Sequence, residues 1–402
     1  MRHAQILAAR GLADEDNERP GYLMSIVFDV TPVALHRGGI GRYTGELLER
    51  LMKGRWAGEI ELVCPEWGGA AGAESPSGWI AVAPVRRLAP TLRLHRLRLL
   101  AASMMERPDD AYWGDPRLLH VPDSYAPPLR SAISVITMHD LSYRLVPQCH
   151  TFAYRSFLAA VVPASVRRAA VVLADSMATR DDMVRLLGVP TGHIRVVYPG
   201  VSNIFGPRDP DACRKHASDR FGLDREFVLT VGTLEPRKNH AFLLEAFARF
   251  VKDHGFTGDL AVVGGNGWGG VRLEPMAARF GLENRVRRLR RVSDEDLTML
   301  YGGCLAFALP SLYEGFGLPV AEAQACGAPV LVSEGGSLPE VAGPSGWVLP
   351  LGDPSRWAQA LADLSPRTIA TARAEGPRNA ARFSYDRAAR EIEETWSGLL
   401  DR

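Results

Sequence analysis

Two glutamates eight positions apart, Glu314 and Glu322, stand on either side of a glycine-flanked turn. The apolar run over 305–309 predicts a buried strand before the turn, and Pro319 fits the first turn of a helix after it. Backbone N–H groups and the dipole at such a helix start attract phosphate, and the small glycines let a ligand approach. We expect Glu322 to lie about one turn into the helix, within reach of sugar hydroxyls, and Glu314 to project from the loop. The pattern predicts a ligand site; its alternative is a strand–turn–helix with two surface glutamates.

A basic pair, Arg237 and Lys238, follows the predicted strand over 227–231 and precedes an apolar-periodic helix. We therefore expect the pair at the carboxyl end of a parallel strand, where open α/β sheets bind their ligands. Arginine offers a planar fork and lysine a point charge, and together they suit a diphosphate. The alternative is a solvated pair beside a helix N-terminus, which the helix dipole disfavours.

Two weaker candidates follow strands of the first half. Gly39 and Gly41 belong to a glycine-rich loop that opens a helix, which a tight turn explains as well as phosphate binding does. His139 and Asp140 end the apolar strand over 133–138, and a lone histidine there can be structural or functional. Spacing alone leaves both alternatives open.

Two other patterns suggest different chemistry. The glycine cluster over 264–270 invites comparison with dinucleotide-binding loops, but its spacing departs from Gly-x-Gly-x-x-Gly, so we interpret it as a cleft loop. Asp-x-Asp triplets can bind a catalytic metal, yet none here ends an apolar strand, and Ser293 with Asp296 is typical of a helix cap. We expect no metal at these triplets, which are Asp14/Asp16, Asp209/Asp211 and Asp294/Asp296.

Composition narrows the class of protein. A chain of 402 residues with 46% hydrophobic residues can bury a large core, and its length favours two or three domains. The formal charge of +1 gives no electrostatic argument for a nucleic acid partner. Five scattered cysteines form no zinc or disulfide pattern, so we expect a reducing, cytoplasmic location. No apolar run reaches the ~18 residues of a membrane span.

Short β-branched runs alternate with helical patterns in both halves, which predicts an α/β protein with two Rossmann-like domains. We expect a polar, disordered extension over 1–23, an N-terminal domain over 24–200, a C-terminal domain over 201–382 and a final helix within 383–402. The stretch 198–207 contains Pro, Gly and Asn and is the candidate linker. Strands are predicted over 25–30, 60–63, 117–121, 133–138, 170–174, 194–198, 227–231, 259–263, 285–289, 305–309, 329–332 and 346–349.

The segment over 85–100 is basic and rich in leucine. This amphipathic pattern is compatible with contact to a membrane surface or to an anionic acceptor. Its alternative is a packed surface helix whose arginines are solvated.

The segment from Pro310 to Val330 resembles the signature of the retaining glycosyltransferases of family 4, in which two glutamates flank a Gly-Phe-Gly turn. The resemblance continues from Gly335 to Glu340. It implies the GT-B fold, in which two Rossmann-like domains face a central cleft and a C-terminal helix crosses back to the N-terminal domain.

The resemblance also implies roles around the turn. Glu314 would contact the donor sugar and Glu322 the nucleotide ribose. The backbone N–H groups of the turn would face the sugar and the diphosphate; the turn consists of Gly315, Phe316, Gly317 and Leu318.

Other candidate residues gain roles from the same resemblance. The basic pair described above would clamp the diphosphate, and Gly39 and Gly41 would approach the sugar diphosphate from across the cleft. His139 would lie near the transferred sugar, and Asp140 would orient its imidazole.

An enzyme of this family moves a sugar from a nucleotide diphosphate donor to a hydroxyl acceptor, with retention at the anomeric carbon, and we expect neither a metal nor another cofactor. A resemblance to bacterial polysaccharide mannosyltransferases makes GDP-mannose the first donor to test. The expected acceptor is a glycan or lipid-linked intermediate of cell-surface glycan synthesis, with the 85–100 segment at the cytoplasmic face of the membrane. The alternatives are a non-catalytic nucleotide-sugar binding protein and an oxidoreductase or epimerase, which the missing dinucleotide fingerprint after 25–30 disfavours.

Overall fold

The computed structural model describes residues 26–34, 38–66 and 85–401, and the statements below concern these residues. They form two α/β domains, each built around one parallel sheet, which confirms the predicted pair of Rossmann-like domains. The predicted extension over 1–23 lies outside the described residues.

The N-terminal sheet has seven parallel strands in the order β3-β2-β1-β4-β5-β6-β7. Its strands are β1 Ile26–Asp29, β2 Ile60–Cys64, β3 Val85–Arg87, β4 Leu118–Val121, β5 Ile133–Met138, β6 Val171–Ala174 and β7 Ile194–Val196. The connecting helices are α1 Thr31–Ala34, α2 Gly38–Leu51, α3 Leu92–Met105, α4 Ser142–Leu145, α5 Phe152–Arg168 and α6 Met177–Leu187, with 3-10 turns over Asp110–Trp113, Pro147–Cys149 and Thr191–His193.

The C-terminal sheet has six parallel strands in the order β10-β9-β8-β11-β12-β13. Its strands are β8 Phe227–Val231, β9 Asp259–Val263, β10 Val286–Leu289, β11 Ala306–Leu309, β12 Val330–Ser333 and β13 Trp347–Leu349. Its helices are α7 Pro210–Phe221, α8 His240–His254, α9 Leu273–Arg279, α10 Asp294–Gly303, α11 Leu318–Ala325, α12 Leu338–Ala342, α13 Pro354–Ala362 and α14 Pro366–Ala380, with 3-10 turns over Pro236–Lys238 and Gly343–Ser345.

Both faces of each sheet are covered, which is why the strands are continuous apolar runs in the sequence. In β1, Ile26 and Phe28 pack on one face of the N-terminal sheet, while Val27 packs on the other. In β8, Leu229 and Val228 divide between the two cores of the C-terminal domain in the same way. Helices on both faces leave the strand ends as the places where polar side chains collect.

The last helix, α15 Tyr385–Leu400, packs on the N-terminal sheet. Trp396 is fully buried there, and its Nε1 donates a hydrogen bond to His120 Nδ1 of β4 at 3.0 Å. Ile392 lies in the same core, beside the residues of α2. The predicted crossing of the C-terminal helix back to the first domain is confirmed.

Each predicted strand overlaps an observed one, but β3 was not predicted. This strand of three residues opens the basic segment that the sequence suggested to be one amphipathic stretch. The structure instead divides that segment into β3 and α3, because Val85–Arg87 pairs in parallel with β2. Within the described ranges, no helix is both long enough and apolar enough to span a bilayer.

Candidate active site in the interdomain cleft

The two domains meet where the loop after β5, which contains His139, contacts the loop after β11, which contains Gly315. A Cβ added to Gly315 would lie 1.8 Å from the carbonyl oxygen of His139, so only glycine permits this approach. Ser176 Oγ, at the start of α6, donates a hydrogen bond to the Gly315 carbonyl at 2.6 Å. The turn between the two glutamates therefore lies directly against the histidine loop of the other domain.

Further hydrogen bonds hold the domains together beside this contact. Tyr313 Oη donates to Asp182 Oδ2 of α6 at 2.5 Å. The carboxylate of Glu340 accepts hydrogen bonds from the backbone N–H groups of Met177 and Ala178 at 3.0 and 3.2 Å. Glu340 thus binds the N-terminal end of α6, where the helix dipole favours a negative charge.

The turn itself has the predicted form. Gly317 has a φ of 94° and caps α11, and Pro319 lies in the first turn of that helix. The side chain of Phe316 is buried against Phe383, with the two ring centroids 5.0 Å apart, so it packs in the protein core. Since the side chain of Phe316 is buried, only the backbone of this residue can face a ligand.

The glycine-rich stretch of the first domain faces this turn. A Cβ on Gly39 would lie 3.9 Å from Leu318 Cδ1, across the cleft. The sequence suggested a loop before the helix, but α2 already begins at Gly38, so Gly39 and Gly41 form its first turn. The helix start, with its N–H groups and positive dipole end, is what the first domain presents to the cleft.

Glu314 is held between the two predicted cations. Arg237 Nη1 donates to Glu314 Oε2 and Lys238 Nζ donates to Glu314 Oε1, both at 2.6 Å. The expectation that Glu314 projects from its loop is wrong, because the residue is only 5% exposed and both carboxylate oxygens contact a cation. The carboxylate therefore fixes the geometry of the Arg-Lys pair.

The charges of this cluster are stable around neutral pH. Burial raises the pKa of Glu314, but attraction to Arg237 and Lys238 outweighs it and lowers the pKa to about 2. Burial lowers the pKa of Arg237, but Glu314 and Glu235 outweigh it and raise that pKa. Both groups are ionised wherever the protein is folded near pH 7.

Glu235 completes the cluster and was not predicted. Its Oε1 lies 2.7 Å from Arg237 Nη2, and the residue is almost fully buried. Burial is the main cause that raises the pKa of Glu235, against the opposing effect of Arg237. Glu235 and Glu314 thus both contact the guanidinium of Arg237. The signal for Glu235 in the sequence is its place two residues before the basic pair, in the order Glu-Pro-Arg-Lys.

His139 is oriented by Asp175 and not by Asp140. His139 Nδ1 lies 2.6 Å from Asp175 Oδ2, and Nε2 lies 3.1 Å from the carbonyl oxygen of Pro122. The prediction for Asp140 is wrong, because its carboxylate turns back to accept a hydrogen bond from the backbone N–H of Ser142 at 2.8 Å. Asp175 follows β6, the strand beside β5, so the sheet brings it to the same edge.

The surroundings of the His139 ring favour its protonated form. Burial lowers its pKa, but Asp175 and Asp123 outweigh burial and raise the pKa to about 9. Both ring nitrogens then donate hydrogen bonds, one to Asp175 and one to Pro122. The ring forms a T-shaped contact with the ring of Tyr43 of α2, and the two ring centroids are 5.1 Å apart. An imidazolium is thus fixed at the wall of the cleft.

Glu322 lies in α11 as predicted, about one turn from the helix start. It is 4% exposed, and it accepts a hydrogen bond from Tyr301 Oη at 3.2 Å. Burial raises its pKa, Arg42 lowers it and Asp294 raises it, and the net direction is upward. Arg42 and Tyr301 were not predicted, since they lie far from Glu322 in the chain.

The remaining candidates behave as structural elements. The loop over 264–270 reaches the other domain, where Trp268 Nε1 donates to the Cys149 carbonyl at 2.7 Å. Ser293 and Asp296 form the predicted capping box of α10.

Among the residues that the structure describes, no group of three or more His, Cys, Asp or Glu side chains is placed to hold a metal ion.

The basic segment contains both paired and exposed arginines. Arg86 donates to Glu61 at 2.5 and 3.0 Å, and Arg98 donates to Asp109 at 2.6 and 2.7 Å. Arg93 is exposed on α3. Exposed apolar side chains lie on the same helix and at the start of α5. Met104 on α3 is 73% exposed, and Phe152, the first residue of α5, is 75% exposed. The other exposed apolar side chains on α3 are Leu94, Leu97 and Met105.

Solved structures identify the fold. Sucrose-phosphate synthase (tll1590) from Thermosynechococcus elongatus superposes with a TM-score of 0.73 at 21% identity, covering 94% of this chain and 99% of that chain. Anabaena Alr3699/HepE in complex with UDP-glucose gives a TM-score of 0.70 at 21% identity, covering 93% and 99%. The two facing parallel sheets therefore have the GT-B glycosyltransferase fold.

Sequence comparison then gives the family. Residues 37–203 match the model for Glycosyltransferase Family 4, and residues 213–374 match that for Glycosyl transferases group 1. The O-antigen chain mannosyltransferase B of Escherichia coli is 31% identical over 315 residues, which cover 76% of this chain and 81% of that protein. The chain belongs to the family 4, group 1 glycosyltransferases.

Proposed function

We propose that the protein is a retaining glycosyltransferase that moves a hexose from a nucleoside diphosphate to a hydroxyl acceptor. The main support is the position of Arg237 and Lys238, which Glu314 fixes beside the turn that opens α11. Two fixed cations and a helix N-terminus lie where a departing diphosphate gains negative charge. Groups that are already oriented stabilise such a transition state without further reorganisation.

In the proposed reaction, the bond between the anomeric carbon and the phosphate oxygen breaks, and the diphosphate leaves with the electron pair. The acceptor hydroxyl attacks from the same face, and its proton passes to the leaving phosphate oxygen. Both oxygens of Glu314 contact cations, which supports a role in aligning the clamp and not as a nucleophile. Glu322 accepts hydrogen bonds from the ribose, and His139 borders the sugar.

For the donor we propose GDP-mannose. The support is the Escherichia coli relative, which is named as an O-antigen chain mannosyltransferase. The HepE structure contains UDP-glucose, so UDP sugars are the natural comparison set. We propose that the reaction needs no metal and no cofactor beyond the donor, with the N–H donors of Arg237, of Lys238 and of the start of α11 stabilising the departing diphosphate.

For the acceptor we propose a glycan or lipid-linked intermediate, with α3 in contact with the cytoplasmic face of a membrane. The support is a groove of about 470 Å³ between α3 and α5, lined by Leu92, Leu97, Leu100 and Phe157 together with Arg93 and Arg96. Apolar side chains beside arginines suit the boundary between acyl chains and anionic headgroups. Each arginine near such a surface is worth about 1 kcal/mol, so attachment would be reversible.

Thermal unfolding with a panel of nucleotides and nucleotide sugars tests the donor. A ligand at 100 times its dissociation constant adds about 2.7 kcal/mol of stability, and we expect GDP-mannose to raise the melting temperature more than UDP-glucose does. Release of GDP in the presence of a mannan or lipid-linked acceptor tests the enzyme. Stabilisation without GDP release would instead support a nucleotide-sugar binding protein, and stabilisation by UDP sugars alone would refute the choice of donor.

A further inference from the structure

Arg42 of the N-terminal domain spans the cleft to the C-terminal domain. Its Nη2 donates to Asp294 Oδ1 at 2.5 Å and its Nη1 donates to Asp294 Oδ2 at 3.1 Å. Nη1 also lies 3.5 Å from Glu322 Oε1. One guanidinium therefore contacts two carboxylates of the opposite domain, and one of the two is the residue proposed to bind ribose.

The surroundings of Arg42 restrict it to this position. Its guanidinium carbon lies 5.5 Å from the centre of the Phe205 ring, a distance typical of a cation–π contact. Asp294 is the first residue of α10, where the helix dipole favours a carboxylate. Arg42 directly follows the glycine-rich first turn of α2, so a shift of that helix start would also move the guanidinium.

We propose that Arg42 is a positioning residue of the donor site, which the N-terminal domain supplies to hold Glu322 in place when the cleft is closed. The inference rests on the proposed donor site. The two-pronged contact with Asp294 anchors the guanidinium, and the remaining contact aligns the Glu322 carboxylate toward the ribose hydroxyls. The Glu322 carboxylate would then be aligned for ribose only when the two domains are in contact.

The chemistry requires an arginine at this position. The planar fork makes two parallel hydrogen bonds to Asp294 and still presents a donor to Glu322. A lysine keeps the positive charge but cannot make both contacts with the same geometry. The buried Glu322 carboxylate is also costly to keep ionised without a nearby cation, and Arg42 faces it from the other domain.

The first test measures binding of GDP and of UDP to purified variants. We expect Arg42→Ala to weaken binding on the order of tenfold, and Arg42→Lys to restore only part of it. The donor KM should rise with a smaller change in kcat, because ribose contacts act in the ground state and the transition state alike. Lys53→Ala is the matched control, because it removes an exposed cation that lies just beyond the C-terminal end of α2 and pairs with Glu49.

Charge reversal separates positioning from general damage to the fold. Arg42→Glu should weaken nucleotide binding more than Arg42→Ala, and adding Asp294→Arg should restore part of the loss. Small-angle X-ray scattering without ligand should show a larger radius of gyration for Arg42→Glu and recovery in the double variant. Nucleotide binding and KM unchanged in both Arg42→Ala and Arg42→Glu would overturn the proposal.

The outcomes also separate this inference from the proposed function. If the wild-type protein binds neither GDP nor UDP, the donor site is wrong, and the scattering comparison still reports whether Arg42 and Asp294 close the cleft. If nucleotides bind and the scattering does not respond to Arg42→Glu, the donor site stands and the cross-domain role of Arg42 is refuted.

Discussion

Replacing Glu314 with glutamine tests the idea that this carboxylate fixes the Arg-Lys clamp. The substitution keeps the size of the side chain but removes the charge that both cations contact. A fall in the Glu314 pKa from 4.5 to about 2 corresponds to about 3 kcal/mol in favour of the ionised, folded form. We therefore expect Glu314→Gln to lower the free energy of unfolding by about 3 kcal/mol at pH 7.

The pH dependence of that loss has a definite sign. The pKa is depressed in the folded state, so its contribution is complete above pH 4.5 and is lost as the pH falls toward 2. The stability difference between wild type and Glu314→Gln should be constant from pH 7 to about 5.5 and should shrink below 4.5. The variant should also lower turnover on the order of 100-fold, since Arg237 and Lys238 lose their alignment.

Urea unfolding followed by both fluorescence and circular dichroism at pH 7, 5, 4 and 3 measures this difference. The control is Glu334→Gln, an exposed glutamate near the turn, which should change stability by at most about 0.5 kcal/mol. A difference below about 1 kcal/mol for Glu314→Gln at pH 7, or one that does not shrink at acid pH, would refute the reasoning.

Three other perturbations have defined outcomes. Asp175→Asn should lower the pKa of His139 from about 9, as followed by NMR of the ring protons, and an unchanged pKa would contradict the pairing. A raised histidine pKa stabilises the fold fully below about pH 6.5, and that stabilisation is lost as the pH rises toward 9. The difference in the free energy of unfolding between wild type and Asp175→Asn should therefore shrink from pH 6.5 to pH 9. EDTA should leave sugar transfer unchanged, whereas activity that EDTA abolishes and Mg²⁺ restores would contradict metal-independent transfer. Arg93→Gln with Arg96→Gln should reduce co-sedimentation with anionic liposomes but not GDP affinity, with Lys252→Gln on the other domain as control; unchanged lipid binding would make α3 a packed helix with a solvated basic face.

Local sequence patterns predicted the parts of the site that a short segment determines. The strand before Glu314, the glycine turn and Pro319 at the helix start all lie within a few residues, and each follows from backbone geometry. The same holds for the order of strands and helices, since apolar runs and periodicity are local properties. These features gave the fold and the turn.

The residues that were missed depend on contacts between distant parts of the chain. Asp175 lies 36 positions from His139 in the chain and reaches it from the end of a neighbouring strand. Nothing in the sequence indicates that Asp175, and not Asp140 directly after the histidine, is its partner. Arg42 meets Asp294 over 252 positions, which only the relative position of two domains decides. Strand β3 was missed for a different reason: its three residues, Val-Arg-Arg, are too few and too polar to show the apolar pattern that predicts a strand.

The position of helix α15 has a consequence for how the chain folds during synthesis. Trp396 and Ile392 complete the hydrophobic core of the first domain, yet the ribosome adds them after all the strands of the second. Domains generally fold in the order in which they are synthesised, but here the earlier domain has an incomplete core until α15 emerges from the ribosome. The C-terminal domain can therefore finish folding first, and the N-terminal domain, whose apolar face is exposed until α15 docks, is the part of the nascent chain that most needs protection from aggregation.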